Sequence, residues 1–532
     1  MLPTTPDLYR TAINRVTFGA RDIDAQLAVT MGWAAWVDDQ LNPPKGDDAD
    51  LAAHIAQQTM HIEYAASDPT NTKGTWDAVN EERPLNYLVA DVPTLWKIAR
   101  GAGTTLPSQE RTRLAQELAA VTWIRNAHSH YQLREFMVDF WHNHFNIGKN
   151  ENALATALLP AYDRDAIRPN AFGNFRTLLE AIATSGSMLI YLDNWVSTAS
   201  TPNENYAREI MELHTLGADA YYGKTTPTDV LASMSAHAGF SDQDVVQASR
   251  ALSGWTIKYG QRVDSKTVMP DTGEFVFNPN QHNKTGTSIL GYNVSAKLDI
   301  TQGQALLDII AYHAATARFV TTKLAKRIFG DSPPQAVIDR GVAAWNSNTT
   351  APDQIARVLR AMLLEGNEVL TEPTTKVRRP YERIIALFRT TDMVVNANTV
   401  MTNTLDSLND GLFAWPAPNG RPDVNGYWLA TGANMRTWNL LLQIPQWTQI
   451  QTTLSVQIPA STAASATGVV DYWIERMIGY QLSTAATNAL VSDQAGTNGV
   501  PAMIKTKNAI KIELAHRRLV SLIATTEEFT LR

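Results

Sequence analysis

Residues 202–217, P-N-E-N-Y-A-R-E-I-M-E-L-H-T-L-G, carry the clearest helix signal in the chain. Asn203 is a favoured N-cap residue, Glu204 places a carboxylate near the positive end of the helix dipole, and Gly217 is a typical C-terminal cap. At 100° per residue, the apolar side chains fall in one arc, so one side of the helix should be buried. The segment therefore predicts an amphipathic helix from Asn203 to Gly217.

The same segment is dense in ionisable side chains. Glu204, Arg208 and Glu212 are spaced i, i+4, i+8, which predicts a ladder along the polar side of the helix. Glu209 lies near the boundary between the polar and apolar sides, and His214 falls inside the apolar arc, so His214 should point inward. Such a helix is either a structural helix whose charged side chains are all paired, or the wall of a functional site.

A second informative stretch is residues 131–145, Y-Q-L-R-E-F-M-V-D-F-W-H-N-H-F. Its apolar residues recur at helical spacing, and His144 belongs to the same buried stripe. If the helix continues that far, His142 lies roughly opposite; if the chain is already extended, His142 and His144 share a face and can bind one ion. Further along, Asp193 comes at the end of an apolar run, so we expect its carboxylate to lie at the end of a buried element.

Helical periodicity recurs along most of the chain. The convincing strand signal is confined to residues 256–293, where β-prone runs and a turn-rich loop predict a small β-hairpin excursion. We find no repeat of fixed period, so we predict a mainly α fold with a large multi-helical single body. This body should span residues 1–450, and residues 451–532 should pack on it as an Ala/Thr-rich segment with a C-terminal helix at 505–524.

Composition narrows the class of protein and its partners. The 532-residue chain is 44% hydrophobic and 18% charged, and its formal net charge of −7 argues against a nucleic-acid partner, since phosphate binding needs a basic face. No apolar run of about 18 residues is present, so no membrane span is expected. The first residues lack a basic region followed by an apolar one, and no secretory signal is visible.

Missing residue types and motifs exclude several kinds of chemistry. Cysteine is absent, which removes disulfides, thiolate metal sites and cysteine nucleophiles. A divalent metal would have to be bound by His, Asp, Glu or carbonyl oxygen. Because Walker A, G-x-G-x-x-G and G-x-S-x-G motifs are absent, neither a nucleotide cofactor nor an α/β-hydrolase mechanism is expected.

Taken in order, several strings resemble the bacterial "domain of unknown function 1800" family over nearly the whole chain. These strings are L-Y-R-T-A-I-N-R-V-T-F-G-A (8–20), F-W-H-N-H-F (140–145), N-A-F-G-N-F-R (170–176), M-L-I-Y-L-D-N (188–194), P-N-E-N-Y-A-R-E (202–209), D-V-V-Q-A-S-R-A-L-S-G-W (244–255) and H-N-K-T-G (282–286). The resemblance implies a mostly helical, often exported protein, periplasmic or extracellular, and it implies no particular reaction. The family usually has His-Asp before the lysine, where this chain has His282 and Asn283 before Lys284.

We predict that polar side chains from these segments form one site. Its candidate residues are His142, His144, Asp193, Glu204, Arg208, Glu209, Glu212 and His214. Grouped carboxylates and imidazoles can bind a divalent metal or transfer protons. We therefore expect a hydrolase or lyase that acts on an extracellular polymer such as a glycan. The alternative is a non-catalytic envelope or assembly protein with a protein partner, in which these residues are ion pairs and core histidines that lock helices together.

The Pro/Gly/aromatic loop at residues 413–428 is the best indication of a substrate. Together with the 14 tryptophans of the chain, it suggests a platform on which a carbohydrate can stack. Most of the tryptophans are nevertheless expected to be packing residues in the core.

Overall fold

A computed structural model describes residues 2–72, 74–227, 238–263, 266–372, 375–404, 408, 410–447, 450, 452–495 and 508–532. Within these ranges the protein is mainly α-helical and contains three small antiparallel sheets of two strands each, which confirms the predicted fold class. In the same ranges, no helix is both long and apolar enough to cross a membrane.

The α-helices of the first half cover most of the strings quoted above. They are α1 Leu8–Val16, α2 Asp22–Met31, α3 Trp33–Gln40, α4 Ala49–Ala56, α5 Val92–Gly101, α6 Ser108–His128, α7 Gln132–His144, α8 Ala153–Ala157, α9 Leu159–Ala161, α10 Phe175–Ala183, α11 Gly186–Tyr191, α12 Glu204–Glu212 and α13 Asp242–Ala251.

The second half continues the same architecture. Its helices are α14 Thr301–Ala311, α15 Ala314–Phe329, α16 Gln335–Ser347, α17 Gln354–Leu364, α18 Glu368–Thr371, α19 Pro380–Thr390, α20 Thr399–Thr404, α21 Asn425–Trp428, α22 Thr431–Gln443, α23 Ala466–Met477, α24 Thr484–Ala495, α25 Ala509–Ala524 and α26 Glu527–Thr530. Of the C-terminal helix predicted at 505–524, residues 505–507 lie outside the described residues.

Three hairpins supply the β structure. The strands pair as β1 Thr59–Tyr64 with β2 Val79–Pro84, β3 Trp255–Tyr259 with β4 Asp271–Phe277, and β5 Thr287–Ile289 with β6 Tyr292–Val294. The last two pairs confirm the predicted excursion at 256–293. The first pair was not predicted, although Met60 and Ile62 alternate with exposed neighbours in the period of two that a half-buried strand shows.

The helix that carries the 202–217 signal is shorter than predicted. Its beginning is confirmed, because the Asn203 side chain accepts the backbone N–H of Tyr206 at 3.0 Å. Its regular part ends at Glu212. The backbone hydrogen bonds that follow span five residues instead of four, such as the 3.1 Å bond from the His214 N–H to the Glu209 carbonyl. Gly217, at φ 87°, follows this irregular turn and does not cap the helix itself.

Helices α7 and α19 lie in the core and yet carry charges. Every residue of α19 is buried, as is every residue of α7 except Asn143. Burying a charge without a partner is costly, so these helices require ion pairs inside the protein. Glu382 on α19 meets this need: its carboxylate accepts the backbone N–H of Arg379 at 2.9 Å and lies 2.5 Å from the guanidinium of Arg327 on α15.

The C-terminal residues reach the same region. Arg532 donates to the backbone carbonyl of Arg327 at 3.0 Å and lies 3.4 Å from Glu382. In addition, α19 contacts α22, α23 and α25. The division of the chain near residue 450 stays a prediction.

Replacing Glu382 by Gln should strongly destabilise the protein. The change removes the counter-charge of the buried Arg532 and one of the two counter-charges of Arg327, and breaking a buried pair costs about 3–5 kcal/mol of the free energy of unfolding. Asp339→Asn is the matched control, because Asp339 and Arg318 form a pair that is about half exposed and whose loss costs about 1 kcal/mol or less. Denaturant unfolding followed by circular dichroism measures both; equal effects of the two substitutions would contradict the importance of Glu382.

Candidate functional site

The two histidines near the end of α7 lie on different sides of the helix. The helix continues through both residues, and two positions along it turn a side chain by about 200°. The Nε2 atom of His142 lies 2.9 Å from the Asp163 carboxylate, whereas the Nε2 atom of His144 lies 3.0 Å from the backbone carbonyl of His214. The histidines therefore have separate partners and do not converge on one ion.

The predicted residues near the start of α12 are dispersed as well. Asp193 is exposed in a turn with left-handed backbone geometry (φ 59°), and Glu204 is exposed in the first helical turn. Arg208 donates to Asp242 at 2.7 Å, a partner 34 positions away in the chain. The predicted ladder from Glu204 through Arg208 to Glu212 is therefore wrong, because a tertiary partner takes the arginine.

Two of the remaining residues, Glu209 and His214, have shifted pKa values. Glu209 and Glu212 are both half-buried on α12, and burial, followed by the charge of Glu212, raises the pKa of Glu209. Burial lowers the pKa of His214 to about 3, so its imidazole is neutral near pH 7. As predicted, His214 points inward, and its ring lies 6.3 Å from the ring of His144.

The eight predicted residues thus do not form one cluster. In the ranges that the structure describes, no group of three or more His, Asp or Glu side chains is arranged to hold a metal ion. Among the predicted residues of different segments, His144 on α7 contacts His214 after α12. This contact adjoins a cavity that the sequence did not reveal.

The cavity has a volume of about 300 Å³ and lies between α7, α15 and the segment 419–423. We call it the Lys323 cavity. Its walls are formed by Asp139, Phe140, Asn143, Lys323, Lys326, Arg327, Arg379, Asn419, Gly420, Arg421, Pro422 and Asp423. Because five of these side chains are cationic and two are carboxylates, the cavity should attract anions.

The Pro/Gly/aromatic loop at 413–428 closes one side of the cavity. Asn143, at the end of α7, accepts the backbone N–H of Arg421 at 2.7 Å, and Asn146 donates to two loop carbonyls at 2.9 and 2.8 Å. Gly420 has φ 74°, and a Cβ atom there would collide with the backbone carbonyl of Asn143. The loop is therefore fixed against α7 by side-chain amides and by a position that only glycine can occupy.

Asp139 is the central carboxylate of the cavity wall. It accepts hydrogen bonds from Arg379 at 2.7 Å, Arg327 at 2.9 Å and Arg421 at 3.0 Å. Burial by itself would raise the pKa of Asp139, but the three guanidinium charges hold that pKa below its usual range. Asp139 is therefore ionised and fully engaged, so it orients arginines and cannot donate a proton.

The second carboxylate of the wall is also ionised. Asp423 lies 2.5 Å from the ammonium of Lys376. Burial opposes ionisation, but the charges of Lys376 and Arg327 keep the pKa of Asp423 below its usual value.

Lys323 differs from the other cations because its hydrogen-bond partner is a neutral imidazole. Its Nζ atom lies 2.9 Å from Nδ1 of His144. A carbonyl oxygen can only accept, so the contact with His214 places the His144 proton on Nε2 and leaves Nδ1 to accept from Lys323. Burial, and then the charge of Lys323, keeps the pKa of His144 well below its ordinary value.

The surroundings of Lys323 also weaken its basicity. Burial lowers the pKa of Lys323 to about 8, and the charge of Asp423 only partly opposes this effect. An amine with such a pKa is partly neutral near physiological pH and can transfer protons. Lys323 is therefore the side chain of the cavity that is best suited to chemistry.

The family model described as "Protein of unknown function (DUF1800)" matches residues 11–531. The chain belongs to this family. No curated protein and no solved structure matches it.

The H-N-K string of this DUF1800 protein has a local structural role. His282 is buried, and its Nδ1 atom lies 2.6 Å from the backbone carbonyl of Ser253. The backbone N–H of Asn283 donates to the Ser253 side chain at 2.9 Å. These contacts hold the loop between β4 and β5 against the turn after α13.

Sequence reasoning missed the residues that form the cavity. The string K-L-A-K-R-I-F at 323–329 places Lys323 and Arg327 four positions apart, on one face of α15. Cations repeated on the buried side of a helical pattern are a usable signal, because they must be paired or functional. Arg421 gave no such signal, since it lies in a loop without periodicity.

Replacing Gly420 by Ala should release the loop from α7. The added methyl group meets the Asn143 carbonyl, and a left-handed backbone at a non-glycine residue costs about 1–3 kcal/mol. Limited proteolysis should then cut within residues 413–428 faster than in the unmodified protein. Gly426→Ala is the control in the same segment, in the short helix α21, because a Cβ atom there has no neighbour within 4 Å. Equal proteolysis of the two variants would show that the loop is not held in this way.

Proposed function

We propose that this DUF1800 protein is a lyase that cleaves a carboxylate-bearing glycan by β-elimination in the Lys323 cavity. The observation that carries the proposal is that one cavity combines the Lys323 amine, whose pKa is lowered and whose hydrogen-bond partner is the neutral His144, with an excess of cationic side chains. A glycan as substrate is part of the same proposal.

The chemistry requires a base beside a group that neutralises a carboxylate. The neutral amine of Lys323 would take the proton from the carbon next to the sugar carboxylate. The electrons of the broken C–H bond form a C=C bond while the C–O bond to the leaving sugar breaks, and the leaving oxygen takes up a proton from the Lys323 ammonium. Arg421 and Lys326 would neutralise the substrate carboxylate, which makes the neighbouring C–H bond more acidic.

Hydrolysis fits the cavity less well than elimination. Glycoside hydrolysis usually employs two carboxyl groups, one of which is protonated and serves as the general acid. Here both wall carboxylates, Asp139 and Asp423, have lowered pKa values because cations hold them. Neither carries a proton near pH 7, so the cavity has a base but no carboxylic acid.

A non-catalytic assembly or binding protein is the second candidate. The observation that favours it is the engagement of Asp139 by three arginines, which resembles a structural lock between helices more than a reactive group. In that case the cavity would result from the charge network, and Lys323 would be a half-buried donor to His144. The lyase and the assembly protein differ in the expected effect of removing the Lys323 amine: a lyase would lose its activity, whereas an assembly protein would change only in stability.

Replacing Lys323 by Met should abolish elimination while the protein stays folded. Loss of a general base typically lowers turnover by about 10²–10⁴-fold. The assay is the ultraviolet absorbance of the unsaturated product from a panel of uronate-containing polysaccharides, with circular dichroism as the folding check. Lys258→Met, which removes a half-buried lysine paired with Glu274, and Glu209→Gln, outside the cavity, should both retain activity.

Two outcomes of this experiment would reject the lyase. One is turnover that survives Lys323→Met. The other is an inactive unmodified protein across the whole panel, together with a Lys323→Met variant that changes only stability; this result would favour the assembly protein.

The activity of the lyase should rise with pH. Because burial lowers the pKa of Lys323 to about 8, the amine is mostly protonated at pH 6 and mostly neutral at pH 9. The active form is the neutral one, so kcat/KM should increase about tenfold per pH unit below pH 8 and level off above it. A profile that falls over this range would show that Lys323 acts as a cation or an acid.

A further inference from the structure

A second and larger cavity lies apart from the Lys323 cavity and shares no lining residue with it. It has a volume of about 960 Å³ and is bounded by the loop at 41–46, the ends of α6 and α7, the segment 164–173 and α17. Six arginines line it: Arg125, Arg134, Arg164, Arg168, Arg357 and Arg360. We call this cavity the arginine groove.

Carboxylates hold several of these arginines in position. Arg168 donates to both oxygens of the buried Glu135 at 2.9 Å, and Arg125 donates to Asp47 at 2.9 Å. Fixed guanidinium groups lose little freedom when a ligand binds, and their planar donors match oxyanions. The carboxylates thus orient the arginines, and some guanidinium N–H donors stay unused.

Two of the spare donors are buried. The Nη2 atoms of Arg134 and Arg168 have no hydrogen-bond partner in the described part of the chain. The side chain of Arg134 is only 5% exposed, and its Nη2 atom lies 3.8 Å from the closest Asp47 oxygen. Buried donors in native proteins nearly always have a partner, so this end of the groove has hydrogen-bonding capacity that the protein itself does not use.

The rest of the groove indicates the shape of the ligand. Arg357 and Arg360 on α17 are about half exposed and pair with Asp353 and Asp38 at 2.7 Å. The wall also contains apolar residues, which are Pro43, Pro44, Pro169, Phe172 and Ala356. A cavity of this size takes a molecule much larger than one phosphate ion.

We propose that the arginine groove binds a small molecule with at least two oxyanion groups, either phosphates or carboxylates, on a compact apolar or sugar-like body. One oxyanion would meet Arg134 and Arg168 at the buried end, and another would meet Arg357 and Arg360 at the rim. This binding site is independent of the proposed elimination and does not require it.

Isothermal titration calorimetry of the full chain with tripolyphosphate and, separately, with citrate tests the proposal. Both ions carry several oxyanion groups, and the stronger binder identifies the phosphate or the carboxylate class. Inorganic phosphate, which can reach only one end of the groove, should bind at least tenfold more weakly than the better of the two. A single saturable site is expected; absence of a saturable site for both ions at low salt would overturn the proposal.

Three variants locate the site. Arg134→Met removes a buried donor, and Arg357→Ala removes a rim donor that is exposed enough for the protein to fold without it; each should weaken binding about tenfold or more. Ala356→Glu places a carboxylate in the apolar wall and should weaken binding further. If Arg134→Met does not fold, the two α17 variants still decide the question.

Two control variants test whether the anion binds in the groove itself. Arg318→Ala removes an exposed arginine of another ion pair, and Lys323→Met alters the first cavity, so both should bind like the unmodified protein. Equal weakening by Arg318→Ala would show non-specific attraction of a polyanion. Loss of binding in Lys323→Met alone would place the ligand in the Lys323 cavity. Either result would overturn the proposed site.

Discussion

The structure depends on one buried carboxylate, Asp139, and the three arginines that hold it. Asp139 belongs to α7, Arg327 to α15, Arg379 directly precedes α19, and Arg421 belongs to the loop that closes the cavity. Four segments far apart in the chain are therefore joined at one point. If the carboxylate lost its charge, the arginines would repel one another in a medium that screens them poorly. The network thus fixes the relative position of the segments as well as their stability.

The same network determines which side chain is left for chemistry. Arginines outnumber carboxylates around Asp139, so the cavity is positive while each wall carboxylate is held ionised. Lys323 stands next to this network, and its short contact is with His144, which is neutral. A carboxylate partner raises the pKa of a lysine, whereas burial lowers it, and the hydrogen-bond partner of Lys323 is a neutral ring that does not oppose the effect of burial. Because the carboxylates are confined to structural ion pairs, the Lys323 amine is available for chemistry.

Local features of the fold could be predicted from the sequence, and tertiary partners could not. The Asn203 cap and the buried side of α12 follow from spacing within a few residues, and so do the helices around them. The partner of Arg208 is Asp242, on a different helix, and no periodic pattern within one segment can reveal such a pair. The predicted site grouped polar residues by their segment, and for the same reason it did not include partners from other segments, such as Asp163 for His142. His144 and His214 were placed correctly on the buried side, yet Lys323, which gives His144 its role, comes from a helix 179 positions further along the chain.

Net charge was informative about the whole molecule but misleading about its cavities. A total of −7 argues against a large basic face. Binding of a small anion depends instead on the charges within roughly one Debye length, about 10 Å at moderate ionic strength. In both cavities cationic side chains outnumber carboxylates in the wall, while carboxylates behind them, such as Glu135 and Glu382, fix their orientation. An acidic protein can therefore present cationic sites when its buried acids serve to position arginines.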